Sequence, residues 1–203
     1  IQEHRTRIKE SEKQEVIQNP TQDFCFHTHT QRCGHGAKDT GDEEWVQNAI
    51  KGGIKKIAFT DHIPLPDGIN HKANSRMDTA EVDSYLKSIE YLQEKYKGKI
   101  EIESGFEFEY SDRDLEHLQE LKSKTDKMVL GQHFVIDNNG REYGIARGNG
   151  GKQISDEILD LYSESIVSAM DKGLPDVIAH PDLFMQARDS FGAKEEEITR
   201  EIC

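Results

Sequence analysis

Short apolar runs alternate with longer amphipathic ones along the chain. DFCFHTH (23–29), KIAFTDH (56–62), KIEIESGFEFEY (99–110), KMVLGQHFVI (127–136) and DVIAHP (176–181) have the length and the aromatic and β-branched content of strands, the third with a bend expected at Gly105. Between them apolar positions recur every three or four residues, the spacing of a helix with one buried face. Trp45, Val46, Ala49 and Ile50 predict a helix with Thr40 and Glu43 as its capping box and Gly52-Gly53 as its stop. Val82, Tyr85, Leu86, Ile89 and Leu92 predict a second, capped by Asp78 and ended by Gly98. Leu115, Leu118 and Leu121 mark a third, Ile158, Leu161, Tyr162, Ile166, Ala169 and Met170 a fourth between Ser155 and Gly173, and a last helix starts at Lys194. Regular alternation of strand and helix implies an α/β fold with a parallel sheet, open or closed into a barrel.

The remaining segments complete the outline. Residues 1–20 are charge-rich and end at Asn19-Pro20, which predicts a solvated helix or frayed arm outside a single domain at 21–203. The Gly- and Asn-rich stretch 137–154 is expected to be a loop over one end of the sheet. Apolar residues make up 34% of the 203 and charged residues 32%, so the core is lean. Lys and Arg number 26 against 39 Asp and Glu, and the net charge of −13 disfavours non-specific binding to nucleic acid or anionic membrane. No apolar stretch reaches the roughly 18 residues that cross a bilayer, and the opening is too charged for a secretion signal, so a cytoplasmic protein is expected. Cys25, Cys33 and Cys203 form no closely spaced pair and are expected to be free thiols.

The histidines change the picture through their positions. Of nine, His27, His29, His35, His62, His133 and His180 lie at or just after the apolar runs, whereas His4, His71 and His117 lie in polar surroundings. Glu107 lies near the end of the third run, with Glu103 and Glu109 on the same alternating face. In a parallel α/β fold the carboxyl ends of the strands share one rim, so these residues converge there. His27 and His29, two apart, point to one side of a strand and can grip one ion. Each histidine alone reads most simply as structural or superficial. Burying six imidazoles and a carboxylate together is costly without a cation, so the set predicts a divalent metal site.

FHTHTQRCGHG, AFTDHIPL, GFEFEY, GQHFV and IAHPDLF resemble, in order, the motifs of the polymerase and histidinol phosphatase (PHP) family, and the second and last look most like its histidinol-phosphatase branch. The resemblance implies a distorted (β/α)7 barrel with up to three divalent ions (Zn, Mn or Fe). Carried over by motif, His27, His29 and Glu107 hold the first ion, Glu107 bridges to a second held with His133 and His180, and His35 and His62 hold a third. Such ions acidify water and screen phosphoryl charge, so no side-chain nucleophile is needed. Arg76, Arg147 and Arg188 are candidate phosphate clamps, Asp61 a candidate to orient an imidazole from behind, and Cys33 is expected to pack rather than ligate. The implied activity is hydrolysis of L-histidinol phosphate in histidine biosynthesis. A phosphatase or phosphodiesterase acting on nucleotides and a non-catalytic metal-binding remnant are the alternatives. The family's closing Asp-x-His does not follow His180, and the chain starts with Ile, so both ends are expected to be cut. On that expectation the barrel is partial, with about five strands, and the third ion is held most weakly.

Overall fold

The computed structural model describes residues 22–34, 36, 40–66, 76–146 and 153–203. The expected arm at 1–20, His35 and Arg147 lie outside the described residues. Five strands form one parallel sheet: β1 (Phe24–Cys25), β2 (Lys56–Phe59), β3 (Glu101–Phe108), β4 (Lys127–Leu130) and, last in the sheet, Val177–Ile178. Between the last two in sequence lie β5 (Phe134–Ile136) and β6 (Glu142–Gly144), an antiparallel pair, which makes Val177–Ile178 β7 and the sheet order β1-β2-β3-β4-β7. The helices are α1 (Asp42–Lys51), α2 (Val82–Lys95), α3 (Leu115–Lys122), α4 (Asp156–Asp171) and α5 (Ala193–Ile202). Among the described residues no helix is long and apolar enough to cross a membrane, and all three cysteines are thiols.

β3 is the central strand and the longest, at eight residues. Its first half, Glu101 to Ser104, pairs with β2, and its second half, Gly105 to Phe108, pairs with β4. This displacement of successive neighbours along the strand is the stagger that curls a sheet toward a barrel. The parallel register places Ile57, Phe59, Ile102, Phe106, Phe108, Met128 and Leu130 on one face, where they join the buried core with Tyr85, Ile89 and Leu92 of α2 and Leu118 and Leu121 of α3. Each large side chain so buried contributes roughly 1.5–3 kcal/mol. Lys56, Ala58, Glu103, Gly105, Glu107, Lys127 and Val129 share the opposite face, so the concave side carries charge while the convex side carries the core.

Several boundaries differ from expectation. The run 127–136 is two strands, because the chain leaves the sheet after Leu130 and Phe134–Ile136 pairs back on Glu142–Gly144 within the expected loop. Asp137 accepts backbone N–H bonds from Asn139 and Arg141 at 2.9 Å, which closes that hairpin. β1, β2 and β7 end before their histidines, so His27, His29, His62 and His180 lie on the connections just past the strands. The first helix is capped by Gly41 rather than Thr40, while Asp78 and Glu81 form a capping box on the 3-10 turn that leads into α2. Gly105 marks a close approach: a Cβ there would stand 2.3 Å from the carbonyl oxygen of Lys127 on the neighbouring strand.

Gly105→Ala therefore forces β3 and β4 apart and is expected to lower stability by about 2–4 kcal/mol, read from the urea midpoint. Gly41→Ala meets nothing within 4 Å and is expected to cost under about 1 kcal/mol. Equal midpoints for the two variants would contradict the assigned packing.

Candidate metal centre

Beyond Glu101 at its start, which pairs with Lys56 at 2.7 Å, β3 and the residue just past it place three carboxylates on the concave face, and each meets a different set of partners. Glu103, toward the amino end, pairs with Lys56 at 2.9 Å and Lys127 at 3.4 Å, with the Phe26 ring 5.7 and 4.9 Å from those two ammonium groups. Glu109, just past the strand, accepts from Arg76 Nη2 at 2.6 Å and from His133 Nδ1 at 2.8 Å. Glu107 lies between them with its side chain 1% exposed, and among the described residues no lysine or arginine pairs with it. Its partners are imidazoles.

The two oxygens of Glu107 divide those imidazoles. His27 Nε2 at 3.1 Å, His29 Nε2 at 3.0 Å and His62 Nδ1 at 3.3 Å face Oε2. His180 Nε2 at 3.0 Å and His133 Nε2 at 3.5 Å face Oε1. His27 and His29 also bring their Nε2 atoms within 2.9 Å of each other. The His62 ring lies between the two groups, its centroid 4.8 Å from that of His29 and 5.0 Å from that of His133. The carboxylate is a buried floor and the imidazoles form a rim, since the His27, His133 and His180 side chains are 34%, 32% and 30% exposed. His180 is held at φ +33°, a backbone conformation that L-residues seldom adopt and one that recurs where a functional side chain must be aimed.

Behind the rim, a buried network fixes the ring orientations. Asp61 accepts from the Thr30 backbone N–H at 2.7 Å, the Thr30 hydroxyl at 2.9 Å and the Cys33 thiol at 2.8 Å. With its proton committed to Asp61, the Cys33 sulfur accepts the His62 backbone N–H at 3.0 Å and faces His29 Nδ1 at 3.4 Å. An Nδ1–H on His29 turned to that sulfur leaves the Nε2 lone pair toward Glu107, so Asp61 reaches an imidazole through Cys33, and the ring is that of His29. Burial, and then the Asp61 charge, pushes the Cys33 thiol far up, which keeps it a donor.

Two residues inside the GQHFV motif complete the support. A Cβ on Gly131 would lie 2.0 Å from Glu107 Oε1, so only glycine leaves space for the carboxylate. Gln132 bonds the backbone of Tyr110 in both directions and the carbonyl of Phe134, fixing the connection that carries His133. Neither announces itself in the sequence, because glycine and glutamine next to a histidine have many uses.

The remaining candidates divide. Arg76 borders the site through Glu109, and its Nη1 donates to the Ile63 carbonyl at 3.2 Å. Arg188 spends its guanidinium on Glu195, Asp156 and the Ile154 carbonyl, which makes it a strut joining α5 to the start of α4 rather than a phosphate clamp. His117 lies 2.8 Å from the Pro64 carbonyl and takes no part in the rim.

The donor set fits a divalent transition ion. Ligand atoms bonded to one tetrahedral Zn at about 2.0–2.1 Å stand about 3.3 Å apart, close to the spacing of His27, His29 and Glu107 Oε2. Those three and the set Glu107, His133 and His180 each bring their ligating atoms within 4.8 Å of one another. Burial alone raises the Glu107 pKa, but the imidazoles around it, His180 and His27 first, outweigh burial and hold the carboxyl well below the usual range. Burial pushes His62 down to about 3, so its ring is neutral and able to ligate near pH 7.

Because Glu107 faces both groups whereas Glu109 is matched by Arg76, Glu107→Gln is expected to lower bound metal, measured by elemental analysis, and activity more than Glu109→Gln. Equal losses would remove Glu107 from the centre.

Comparison with known proteins identifies the family. The PHP domain profile matches residues 26–202. Histidinol-phosphatase of Bacillus subtilis is 31% identical over 116 residues, which are 54% of this chain and 43% of that protein, so the chain spans less than half the length of this curated relative. Two solved structures share the fold. HisK of Listeria monocytogenes superposes with a TM-score of 0.67 at 24% identity, over 88% of this chain and 75% of that one. Histidinol phosphate phosphatase of Lactococcus lactis, solved with Zn, L-histidinol and phosphate, superposes with a TM-score of 0.64 at 19% identity, over 89% and 67%. With the family profile matching all but the ends of the chain, and the fold shared with both solved structures, the chain belongs to the PHP domain family.

Proposed function

We propose that this chain forms a metal-dependent phosphomonoesterase site whose substrate is L-histidinol phosphate, serving histidine biosynthesis in the cytoplasm. The observation that carries the reading is the buried Glu107 carboxylate, whose two oxygens face two sets of imidazoles and no fixed cation among the described residues. His27, His29 and Glu107 would hold one divalent ion, and Glu107, His133 and His180 a second. His62, with His35 as its expected partner, is assigned to a third. Bound there, Zn, Mn or Fe would neutralise phosphoryl oxygens and acidify an attacking water.

The chain's own residues supply the rest. The partly exposed His27, His133 and His180 leave the rim open to an ester arriving from solvent. Among the described residues Arg76 is the guanidinium bordering the rim, and it is the candidate for orienting a phosphate. The Asp61–Cys33 pair and Glu109 hold ligand rings from behind, so the site is ordered before substrate enters. A local excess of metal charge also accounts for an anionic substrate approaching a protein of net charge −13.

Phosphate release from L-histidinol phosphate, measured beside nucleoside monophosphates, tests the assignment. Activity is expected to fall at least tenfold on chelation, to return with Mn or Zn, and to favour histidinol phosphate. Undiminished turnover by stripped protein would end the metal-dependent mechanism. Preference for a nucleotide would transfer the site to that substrate class, and full metal occupancy with no ester cleaved would mark a binding module.

A further inference from the structure

We propose that Glu109 is a positioning residue of the metal centre: it ligates no ion, but fixes His133 as an Nε2 ligand and ties that ligand to Arg76. The geometry rests on one oxygen. Glu109 Oε1 accepts from His133 Nδ1 at 2.8 Å and from Arg76 Nη2 at 2.6 Å. With Nδ1–H held by the carboxylate, the opposite ring nitrogen keeps its lone pair and is aimed at the Glu107 side, where Nε2 lies 3.5 Å from Oε1. His133 needs this support more than a strand residue would. It sits on the connection between β4 and β5, outside either strand, where backbone pairing alone does not set the ring angle.

Glu109 is as buried as Glu107, each side chain being 1% exposed, and it lies two residues along the same face. Charge compensation separates their roles. Arg76 already neutralises Glu109, and a second cation on that carboxylate would stand close to a fixed guanidinium. Arg76 is itself anchored on the Ile63 carbonyl at 3.2 Å, so Glu109 joins the connection after β2, the end of β3 and the connection after β4. Three separate stretches of chain are thereby held in register around one imidazole.

This inference rests on the metal-centre reading, and its test reads metal affinity, which needs no turnover. Zn affinity is measured by competition with a chromophoric chelator for the wild type, Glu109→Ala and Glu109→Gln. Loss of an outer-shell partner of a ligating histidine typically costs 10–100-fold in metal affinity. Glu109→Ala is therefore expected to weaken one ion 10–100-fold and leave any other within about threefold. Glu109→Gln keeps a carbonyl that can accept Nδ1–H and should recover most of that loss. If Glu109→Ala does not fold, Glu109→Asp, which keeps the charge but withdraws the oxygen, replaces it with the same pattern expected. Equal loss of one whole ion in every variant would make Glu109 a ligand and overturn the proposal. Unchanged affinities with a lowered melting temperature would reduce it to a purely structural group. A wild type that binds Zn tightly and cleaves no phosphate ester would sink the phosphatase reading and leave this one standing.

Discussion

The structure depends on keeping one carboxylate ionised where water does not reach it. An isolated buried carboxylate costs several kcal/mol, and the usual remedy is a lysine or arginine at its side. Glu107 has none among the described residues, and five imidazole nitrogens stand 3.0 to 3.5 Å from its oxygens instead. A ring hydrogen bond does not cancel a charge; imidazoles and a carboxylate can share a cation that both kinds of ligand bind. The gathering of five histidines from four separate stretches of chain is the consequence.

The fold meets this demand through its central strand. Parallel pairing on both sides of β3 brings the ends of β1, β2, β4 and β7 to one rim, and the stagger between the pairings curls that rim around Glu107. The convex face holds the sheet rigid with close-packed apolar side chains, so the concave face is freed to carry charge. Glycine at 105 and 131 keeps the concave layer thin, in one case for the neighbouring strand and in the other for the carboxylate itself.

Much of this was legible in the sequence. The five parallel strands follow from apolar runs, and the convergence of His27, His29, His62, His133, His180 and Glu107 follows from their places at the ends of those runs. Strand limits were not, because extended chain continues past the last ladder bond and looks the same in sequence. The β5–β6 hairpin was hidden because Phe134, Val135 and Ile136 prolong the apolar run of β4, although Asp137-Asn138-Asn139-Gly140 is the turn that a hairpin needs. Cys33 is buried, but its link from Asp61 to His29 depends on a contact across 28 residues that no spacing rule reaches. Arg188 and Arg76 are indistinguishable as isolated arginines; what separates them is that one is enclosed by α4 and α5 while the other lies beside the rim.

Glu103, Glu107 and Glu109 make the same point within a single strand face. Alternation places all three on the concave side, and alternation alone treats them as equals. Their counter-charges do not: two lysines for Glu103, imidazoles for Glu107, an arginine and an imidazole for Glu109. A carboxylate closes a salt bridge where the fold supplies a permanent cation, and is available to a metal where the fold supplies only imidazole nitrogens. Position along β3 thus converts three identical side chains into a structural ion pair at the base, a candidate bridging ligand in the middle and an anchor at the rim. The chemistry of this face is set less by which acids it carries than by which bases the neighbouring strands deliver opposite each one.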